Sequence, residues 1–273
     1  MRTAVIGNIS RDHIHRPGQL PGRQLGGAAL HLSIAAVRAG HRAAPVAALG
    51  PDLSHLPTDP RLFGLDWSLV HSGTRASTTF TIRYDEHGTI RSVDADYAIG
   101  AELTEHALKI INQRLPDAFH ISCRKPLDVP AILQALTAQG RTFSLDFHLP
   151  SAPQMIPAAA AWLHHAVAIF ANAEEHRILS ATLPERTCRE VIVSDGPRAA
   201  RVLLHGHLHH LVTPPTVRLR QLTGAGDTLA GTYLALRARG QTPAISLDQA
   251  VRAATRYTTQ RPLPLPTPRR PQS

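Results

Sequence analysis

The chain has 273 residues, of which 43% are hydrophobic, and its formal net charge is +9. A chain of this length buries roughly three quarters of its unfolded surface, which is enough for one α/β domain. The charge comes from 27 arginines against two lysines, spread along the chain without a basic block and without interleaved aromatic residues. This pattern argues against a nucleic-acid footprint, although a basic field would favour phosphate-bearing ligands.

Six short apolar segments alternate along the chain with segments of helical periodicity. The predicted strands are TAVIG near residue 5, APVAALG near 48, AFHIS near 120, TFSLDF near 144, VAIFAN near 169 and VIVSDG near 193. The predicted helices are Ala28–Ala39, Glu102–Leu115, Asp128–Gln139, Gln154–His165 and Ala173–Ala181. This alternation favours a mainly parallel sheet with helices on both faces.

Two other segments do not fit the alternation. Thr78–Tyr84 and Thr89–Val93 alternate in polarity and flank the turn sequence DEHG, which predicts a β-hairpin. Such a hairpin either extends the edge of the sheet or forms a lid over a site at the carboxyl ends of the strands. The last segment, Arg261–Ser273, is rich in proline, and we expect it to be extended or disordered.

The sequence TGAGD at residues 223–227 directly precedes a helical pattern. Small residues let backbone N–H groups converge at a helix N-terminus, where unpaired donors and the positive end of the dipole favour an anion. Asp227, in the first turn, could accept a proton from an attacking hydroxyl group, as in a small-molecule kinase. The alternative is a tight loop followed by an acidic residue that only stabilises the helix. The sequence has no G-x-x-x-x-G-K-[ST] string, which excludes a Walker-type NTPase.

Four landmarks follow one another in order: VIGNISRD in the first strand region, GGAALHLSIAAVRAG from residue 26, N-x-x-E at residues 172–175, and TGAGD about thirty residues after VIVSDGP. In this order and spacing the chain resembles the ribokinase-like (PfkB-type) carbohydrate and nucleoside kinases over about residues 3–260. The resemblance implies a three-layer α/β/α fold with a mainly parallel central sheet and a small β lid. It implies one kinase domain over residues 1–260, with lid strands at about 9–25 and 76–98, followed by a proline-rich tail at 261–273.

The resemblance also implies a role for each matching position. The implied catalytic residues are Asp227 as general base and Gly224, Ala225 and Gly226 as an anion hole. The implied substrate-binding residues are Asp12, which would accept hydrogen bonds from two hydroxyl groups, together with Gly26, Gly27 and His31. The implied nucleotide-binding residues are Asn172, Glu175, Ser194, Gly196 and Thr223. Glu175 would also organise Mg²⁺, so the implied cofactors are ATP and Mg²⁺.

Several of these positions have a purely structural alternative. Asp12 could be a surface aspartate near the first strand, and the di-glycine could be a simple turn before a helix. Asn172 and Glu175 have the spacing of an N-cap and its capping box. In these cases the sequence leaves both interpretations open.

The chain departs from the family pattern at three positions. Gln221-Leu222 stands where the family usually has Asp-Thr, and His31 and His148 each stand where it usually has asparagine. Imidazole cannot reproduce the donor and acceptor geometry of asparagine, and its charge changes near neutral pH. If His31 faces the substrate, specificity should differ from that of plain ribose or fructose-phosphate kinases. The alternative is a histidine packed against the sheet.

The segment His205–His210 contains four histidines. Histidines at alternate positions of a strand share a face, which would suit Zn²⁺ or Ni²⁺. The segment has no cysteine or carboxylate close in sequence, and it falls where the family has a hairpin turn between antiparallel strands. A solvated turn is therefore the favoured interpretation. The two cysteines are too few for a disulfide framework, and they do not form a C-x-x-C pair.

The leading hypothesis is an ATP-dependent kinase acting on an alcohol group of a sugar, nucleoside or related polyol. A second hypothesis is a non-catalytic sugar- or nucleotide-binding regulator that kept the fold. The late position of the glycine turn argues against a third, a Rossmann enzyme using NAD or S-adenosylmethionine. We expect no nucleic-acid or membrane partner and a possible homodimer through the lid. We also expect a cytoplasmic location, because the sequence lacks a signal-peptide pattern and an 18-residue apolar run.

Overall fold

The computed structural model describes residues 2–86, 90–113 and 116–265. Its strands are β1 (Arg2–Ile6), β2 (Ser10–His15), β3 (Gly22–Gly26), β4 (Arg42–Val46), β5 (Ala48–Leu49), β6 (His71–Ser72), β7 (Thr78–Tyr84), β8 (Ile90–Asp96), β9 (Ala118–Cys123), β10 (Thr142–Phe147), β11 (Ile169–Asn172), β12 (Glu190–Ser194), β13 (Ala200–Leu204) and β14 (His207–Val212). Its α-helices are α1 (Ala28–Arg38), α2 (Leu103–Asn112), α3 (Val129–Ala138), α4 (Ala152–Ala159), α5 (Ala173–Thr182), α6 (Ala225–Ala238) and α7 (Pro243–Thr258). Short 3₁₀ segments occupy Pro51–Leu53, Leu56–Thr58, Pro60–Leu62, Trp67–Leu69, Ala98–Glu102, Ala160–His165 and Glu185–Thr187.

The central sheet has eight strands in the order β14-β13-β12-β11-β10-β9-β1-β4. The six strands from β12 to β4 run parallel, and β13 and β14 continue the sheet in antiparallel fashion. Strand β9 is buried at every position, as expected for a parallel strand covered on both faces. The predicted mainly parallel sheet is confirmed.

The core divides into two apolar layers, one on each face of this sheet. Alternate side chains of a strand point to opposite faces, so Ala4 and Ile6 belong to one layer and Val5 to the other. Helices α2, α3, α4 and α5 contribute to the first layer, and α1, α6 and α7 contribute to the second. The result is the predicted α/β/α arrangement.

A second, four-stranded sheet forms the lid, in the order β3-β2-β7-β8. Strands β2 and β7 run parallel, whereas β3 and β8 pair in antiparallel fashion with their neighbours. The predicted hairpin is present, but its second strand is β8 rather than Thr89–Val93. Residues 87–88 of the predicted turn and residue 89, the first of the predicted second strand, lie outside the described residues.

The structure corrects several element boundaries. The segment APVAALG contributes to two strands, β4 and β5, rather than one. The predicted helix Gln154–His165 is α4 followed by a 3₁₀ segment; Pro157 lies inside α4 and lacks a backbone N–H donor, which disfavours a regular continuation. The predicted helix Glu102–Leu115 ends as α2 at Asn112, and residues 114–115 lie outside the described residues.

The first part of the proline-rich tail is extended along the lid rather than disordered. The backbone N–H of Leu25 donates to the carbonyl oxygen of Leu263 at 2.8 Å, and Gln24 and Pro264 form an antiparallel bridge. Leu263 and Leu265 pack against the second core layer. The remaining tail, 266–273, lies outside the described residues. In the described chain, no helix combines the length and apolarity needed to cross a membrane.

Candidate active site

A cleft of about 650 Å³ opens between the lid and the carboxyl ends of the parallel strands. Its lid side is apolar and aromatic, with Phe80, Ile82 and Tyr84 among the lining side chains. The cleft also brings together ten predicted site residues: Asp12, Gly27, His31, Asn172, Glu175, Ser194, Thr223, Gly224, Gly226 and Asp227. The other three predicted residues, Gly26, Gly196 and Ala225, do not line the cleft itself.

Asp12 lies on β2 and is 2% exposed, so it is not the surface residue that the structural alternative required. The hydroxyl of Ser10 donates to Asp12 Oδ1 at 2.7 Å. Burial raises the pKa of Asp12 to about 6; the Ser10 hydrogen bond opposes this shift and the negative charge of Asp227 adds to it. Asp12 faces the cleft although burial disfavours its charged form, so hydroxyl donors of a ligand could pair with it there.

The two glycines at the end of β3, Gly26 and Gly27, are required by close packing. A Cβ at Gly26 would lie 2.0 Å from Asp12 Oδ2, so glycine leaves room for that carboxylate. Gly27 has a φ of 101°, and a Cβ there would lie 2.1 Å from the carbonyl oxygen of Asn8. Gly27 is also the N-cap residue of α1. The turn before a helix and the close approach to a cleft wall are therefore both present.

The TGAGD segment forms the N-terminus of α6. Gly224 is its N-cap residue with a φ of 89°, and a Cβ there would lie 2.5 Å from Tyr257 Oη. The Tyr257 hydroxyl donates to the carbonyl oxygen of Thr223 at 2.8 Å and holds the turn from the opposite helix, α7. At Gly226, by contrast, an added Cβ would meet no neighbouring atom within 4 Å. The space at Gly226 is thus not taken by packing and faces the cleft.

Asp227 lies in the first turn of α6, and its side chain is 12% exposed. Arg124 Nη2 lies 3.9 Å from Asp227 Oδ1 and 2.7 Å from Asp146 Oδ2, so one guanidinium contacts both carboxylates. His120 Nε2 lies 3.6 Å from Asp146 Oδ1. Burial raises the pKa of Asp227 to about 6, and the charge of Asp146 adds to the rise, whereas Arg124 and His120 oppose it.

Arg124 is a site residue that sequence reasoning missed. It directly follows β9, and residues at the carboxyl ends of parallel strands converge on the same edge of the sheet. The signal was therefore present as RKP immediately after a fully buried strand. Asp146, near the carboxyl end of the neighbouring strand β10, is a second site residue that was not predicted. Both residues line the cleft, as does Lys125.

At the end of β11, Asn172 and Glu175 form the capping box that the structural alternative predicted. Asn172 Oδ1 accepts from the backbone N–H groups of Glu174 and Glu175, and the Glu175 carboxylate accepts from the Asn172 N–H at 2.8 Å. Burial raises the pKa of Glu175 to about 7. Both side chains also line the cleft, so they could contact a ligand as well as cap the helix.

His31 is buried against the TGAGD turn. Its Nδ1 lies 3.3 Å from Tyr257 Oη, and the two rings meet edge to face. Because the Tyr257 hydroxyl already donates to Thr223, this geometry assigns the proton to His31 Nδ1. Burial lowers the pKa of His31 to about 4, so the imidazole is neutral at physiological pH. The other departures lie nearby: His148 lines the cleft, and Gln221 Nε2 donates to the carbonyl oxygen of Tyr257 at 3.0 Å.

The described residues contain no group of three or more His, Cys, Asp or Glu side chains arranged to hold a metal ion. The histidine-rich segment forms the β13–β14 hairpin, with its turn at His205 and Gly206. His207 and His209 are exposed, and His210 Nε2 lies 2.9 Å from Asp248 Oδ1. The expected hairpin between antiparallel strands is confirmed.

The model of the pfkB family carbohydrate kinases matches residues 4–263. The chain belongs to this family. No curated protein sequence matches the chain. Family membership identifies it as a kinase, a phosphotransferase with an alcohol group as acceptor.

Solved structures of several kinases are similar to this pfkB family member. The nucleoside kinase of Burkholderia thailandensis in complex with inosine matches with a TM-score of 0.79 and 18% identity over 94% of this chain and 91% of that chain. A putative ribokinase II of E. coli in complex with ATP and Mg²⁺ matches with a TM-score of 0.78 and 21% identity over 96% of this chain and 94% of that chain. The adenosine kinase of Sinorhizobium meliloti matches with a TM-score of 0.77 and 17% identity over 96% of this chain and 95% of that chain. These structures support the ribokinase-like fold.

Proposed function

We propose that this pfkB family kinase transfers the γ-phosphoryl group of ATP to a hydroxyl group of a sugar, nucleoside or related polyol, with Asp227 as general base. The observation that carries the proposal is that two carboxylates with pKa values raised to about 6, Asp12 and Asp227, lie in one cleft beside the N-terminus of α6. Asp227 is close enough for its charge to raise the pKa of Asp12. One carboxylate can therefore position an acceptor while the other takes its proton.

The residues at the α6 N-terminus fit a phosphate group. The backbone N–H groups of Gly226 and Asp227 belong to the first turn, where they lack partners within the helix, whereas the Ala225 N–H donates to the carbonyl oxygen of Leu222 at 3.1 Å. The unfilled space at Gly226 would admit a phosphate oxygen that a side chain would displace. Thr223 and Ser194 line the same cleft and offer hydroxyl groups, and we extend this nucleotide-binding role to Gly196 in the turn after β12.

The residues around Glu175 fit a hydrated magnesium ion. Mg²⁺ prefers oxygen ligands, keeps several waters and is usually held by few carboxylates together with substrate phosphates. Glu175 offers a carboxylate whose pKa is raised by burial, which a cation would reverse. Asn172 uses only Oδ1 for capping, which leaves its Nδ2 donor for a phosphate oxygen. When bound, Mg²⁺ would neutralise charge on the triphosphate.

In the proposed reaction, Asp12 accepts hydrogen bonds from two acceptor hydroxyl groups and fixes the orientation of the acceptor. The attacking oxygen approaches the γ-phosphorus in line while Asp227 takes its proton, so a P–O bond forms as the bond to the leaving ADP oxygen breaks. The N–H groups of the α6 turn stabilise the charge that develops on the transferring group. Gly26 and Gly27 keep the backbone close to the acceptor, and the lid wall excludes water.

The test is an ADP-release assay with a panel of sugars, nucleosides and polyols, combined with Asp227→Asn. Loss of a general base should lower kcat by roughly 10²–10⁴ while binding of the acceptor is kept. Asp248→Asn is a matched control, because Asp248 lies on α7 outside the cleft and contacts His210. Near-normal turnover of the Asp227 variant would reject the assignment. Binding without turnover across the panel would instead favour the non-catalytic regulator.

We also propose that the lid supports a homodimer. Strand β8 is an edge of the lid sheet with mostly exposed side chains, whereas the outer side of β3 is bridged by Pro264. A free edge is a surface on which a second copy can pair. Light scattering of the purified protein at several concentrations measures the mass, and a monomer throughout would remove this proposal.

A further inference from the structure

A second groove, of about 1010 Å³, crosses helices α1, α6 and α7. His31 lines both this groove and the acceptor cleft, so the two cavities share one wall residue. The groove is lined by five exposed arginines, and no aspartate or glutamate is among its lining residues. The five are Arg38, Arg239, Arg252, Arg256 and Arg261.

These arginines differ from others on the surface of this chain. Many surface arginines form ion pairs with carboxylates: Arg2 with Asp66, Arg11 with Asp52, Arg61 with Asp59, Arg83 with Asp94, Arg177 with Glu174 and Arg198 with Asp195. Within the described residues, none of the five groove arginines forms such a pair. Arg239 is held by the backbone instead, because its Nη1 donates to the carbonyl oxygen of Ala39 at 3.1 Å. The groove therefore concentrates positive charge that the fold leaves uncompensated.

Helix stabilisation explains only part of this cluster. Arg38 is in the last turn of α1 and Arg239 follows α6, where a positive charge favours the helix C-terminus. Arg252, however, lies inside α7, and Arg256 is one turn further on the same face. Like charges at this spacing destabilise a helix, so this pair costs stability. A negatively charged ligand would turn that cost into attraction.

We infer that this groove is a second, anion-binding site that takes a polyphosphate group. Guanidinium groups match phosphate oxygens with two parallel hydrogen bonds, and several arginines around one groove favour a ligand with more than one phosphate. The volume suits a small molecule rather than an extended chain. The polyphosphate group could be free or carried by a nucleoside. The inference does not depend on the role of Asp227, which lies in the other cavity.

The experiment is calorimetric titration of the full chain with inorganic tripolyphosphate at about 0.15 M salt, where exposed charges are already screened. The test variant is the double substitution Arg252→Gln and Arg256→Gln. Each lost charge-assisted contact should weaken binding about tenfold, so the double variant should bind roughly a hundredfold more weakly. The matched control is Arg186→Gln with Arg189→Gln, which removes the same charge outside both cavities and should leave binding unchanged.

A second arm titrates ATP. Two binding events in the wild-type chain and one in the double variant would show that the groove accepts nucleoside-borne polyphosphate, whereas one event in both would restrict it to the free ion. Arg252→Gln alone, expected to weaken tripolyphosphate binding about tenfold, replaces the double variant if that one fails to fold. Absence of wild-type binding of tripolyphosphate overturns the inference, as does binding that the groove variants leave unchanged.

Discussion

Replacing Arg124 with glutamine should move the acid limb of the pH–rate profile upward. In the wild-type chain the pKa of Asp227 is raised to about 6, so kcat/KM should fall as the pH drops below 6 and the base becomes protonated. Arg124 opposes that rise from 3.9 Å. Without the guanidinium, burial and the charge of Asp146 raise the pKa of Asp227 against the smaller opposing effect of His120 alone. Asp227 therefore keeps its proton to higher pH.

The size of the shift follows from the distance between the two groups. Two unit charges 3.9 Å apart interact by about 1 kcal/mol in bulk water and about 4 kcal/mol at an effective dielectric constant of 20. At 1.36 kcal/mol per unit, this corresponds to a rise of about one to three units in the pKa of Asp227. At pH 7, kcat/KM should then fall by roughly two-fold to a hundredfold, and it should recover substantially toward pH 9.

The assay is kcat/KM for the best acceptor between pH 5 and 9.5, because this ratio reports the pKa values of the free enzyme. Asp146→Asn provides a control of opposite sign: removing a negative charge that raises the pKa of Asp227 should move the acid limb to lower pH. An acid limb that stays in place in both variants would refute the reasoning. A uniform loss without recovery at high pH would show that Arg124 acts on the substrate rather than on the base.

Three other predictions test stability and packing. Asp227→Asn should raise the free energy of unfolding by up to about 3 kcal/mol above pH 6, because the native carboxylate is ionised there although burial raises its pKa from 3.8 to about 6. Below pH 4 the carboxyl group is protonated and the substitution should have no effect. Denaturant titrations at the two pH values measure this difference. Gly226→Ala should keep or slightly raise the melting temperature yet abolish most turnover, whereas Gly26→Ala, with its clash at 2.0 Å, should lower both. Tyr257→Phe removes the hydrogen bond to Thr223 and should cost about 1 kcal/mol of stability and raise the KM for ATP, measured by denaturation and initial rates; an unchanged KM would show that this bond does not hold the turn.

Much of the fold could be predicted because the parallel strands are buried on both faces and so appear as short apolar runs. Strand β9 and strand β12 are examples, and the glycine turn before α6 was visible as three small residues ahead of Asp227. Helix α7 was not predicted, although Thr242 caps it and Pro243 stands at its first position, which is a known start signal. Its buried face consists largely of small or polar residues, so the apolar pattern that marks a helix is weak.

The contacts within the site could not be predicted in the same way, because they join positions far apart in the chain. Tyr257 contacts His31, which lies 226 positions away in the chain, and Arg124 after β9 contacts Asp227 at the start of α6. Local patterns contain no signal for such pairs. The order of the strands brings them together, since β9, β10 and β1 are neighbours and end at the same edge as the turn before α6. The sequence could therefore name Asp227, and it marked the position of Arg124 after a buried strand, but it did not reveal the contact between the two.

Two groups of carboxylates in this chain differ in the direction of their pKa shift. Asp59, Asp66 and Asp195 have lowered pKa values, and each is held by hydrogen bonds to nearby arginine, serine or backbone donors. Asp12, Glu175 and Asp227 instead have pKa values raised to about 6 or 7, and burial is the largest cause in every case. Burial of these three carboxylates costs stability that their local partners, including the capping hydrogen bond of Glu175, do not fully offset. All three line one cleft, and in the proposed phosphoryl transfer they would meet acceptor hydroxyl groups, a cation and a transferred proton, which would offset the cost of their burial.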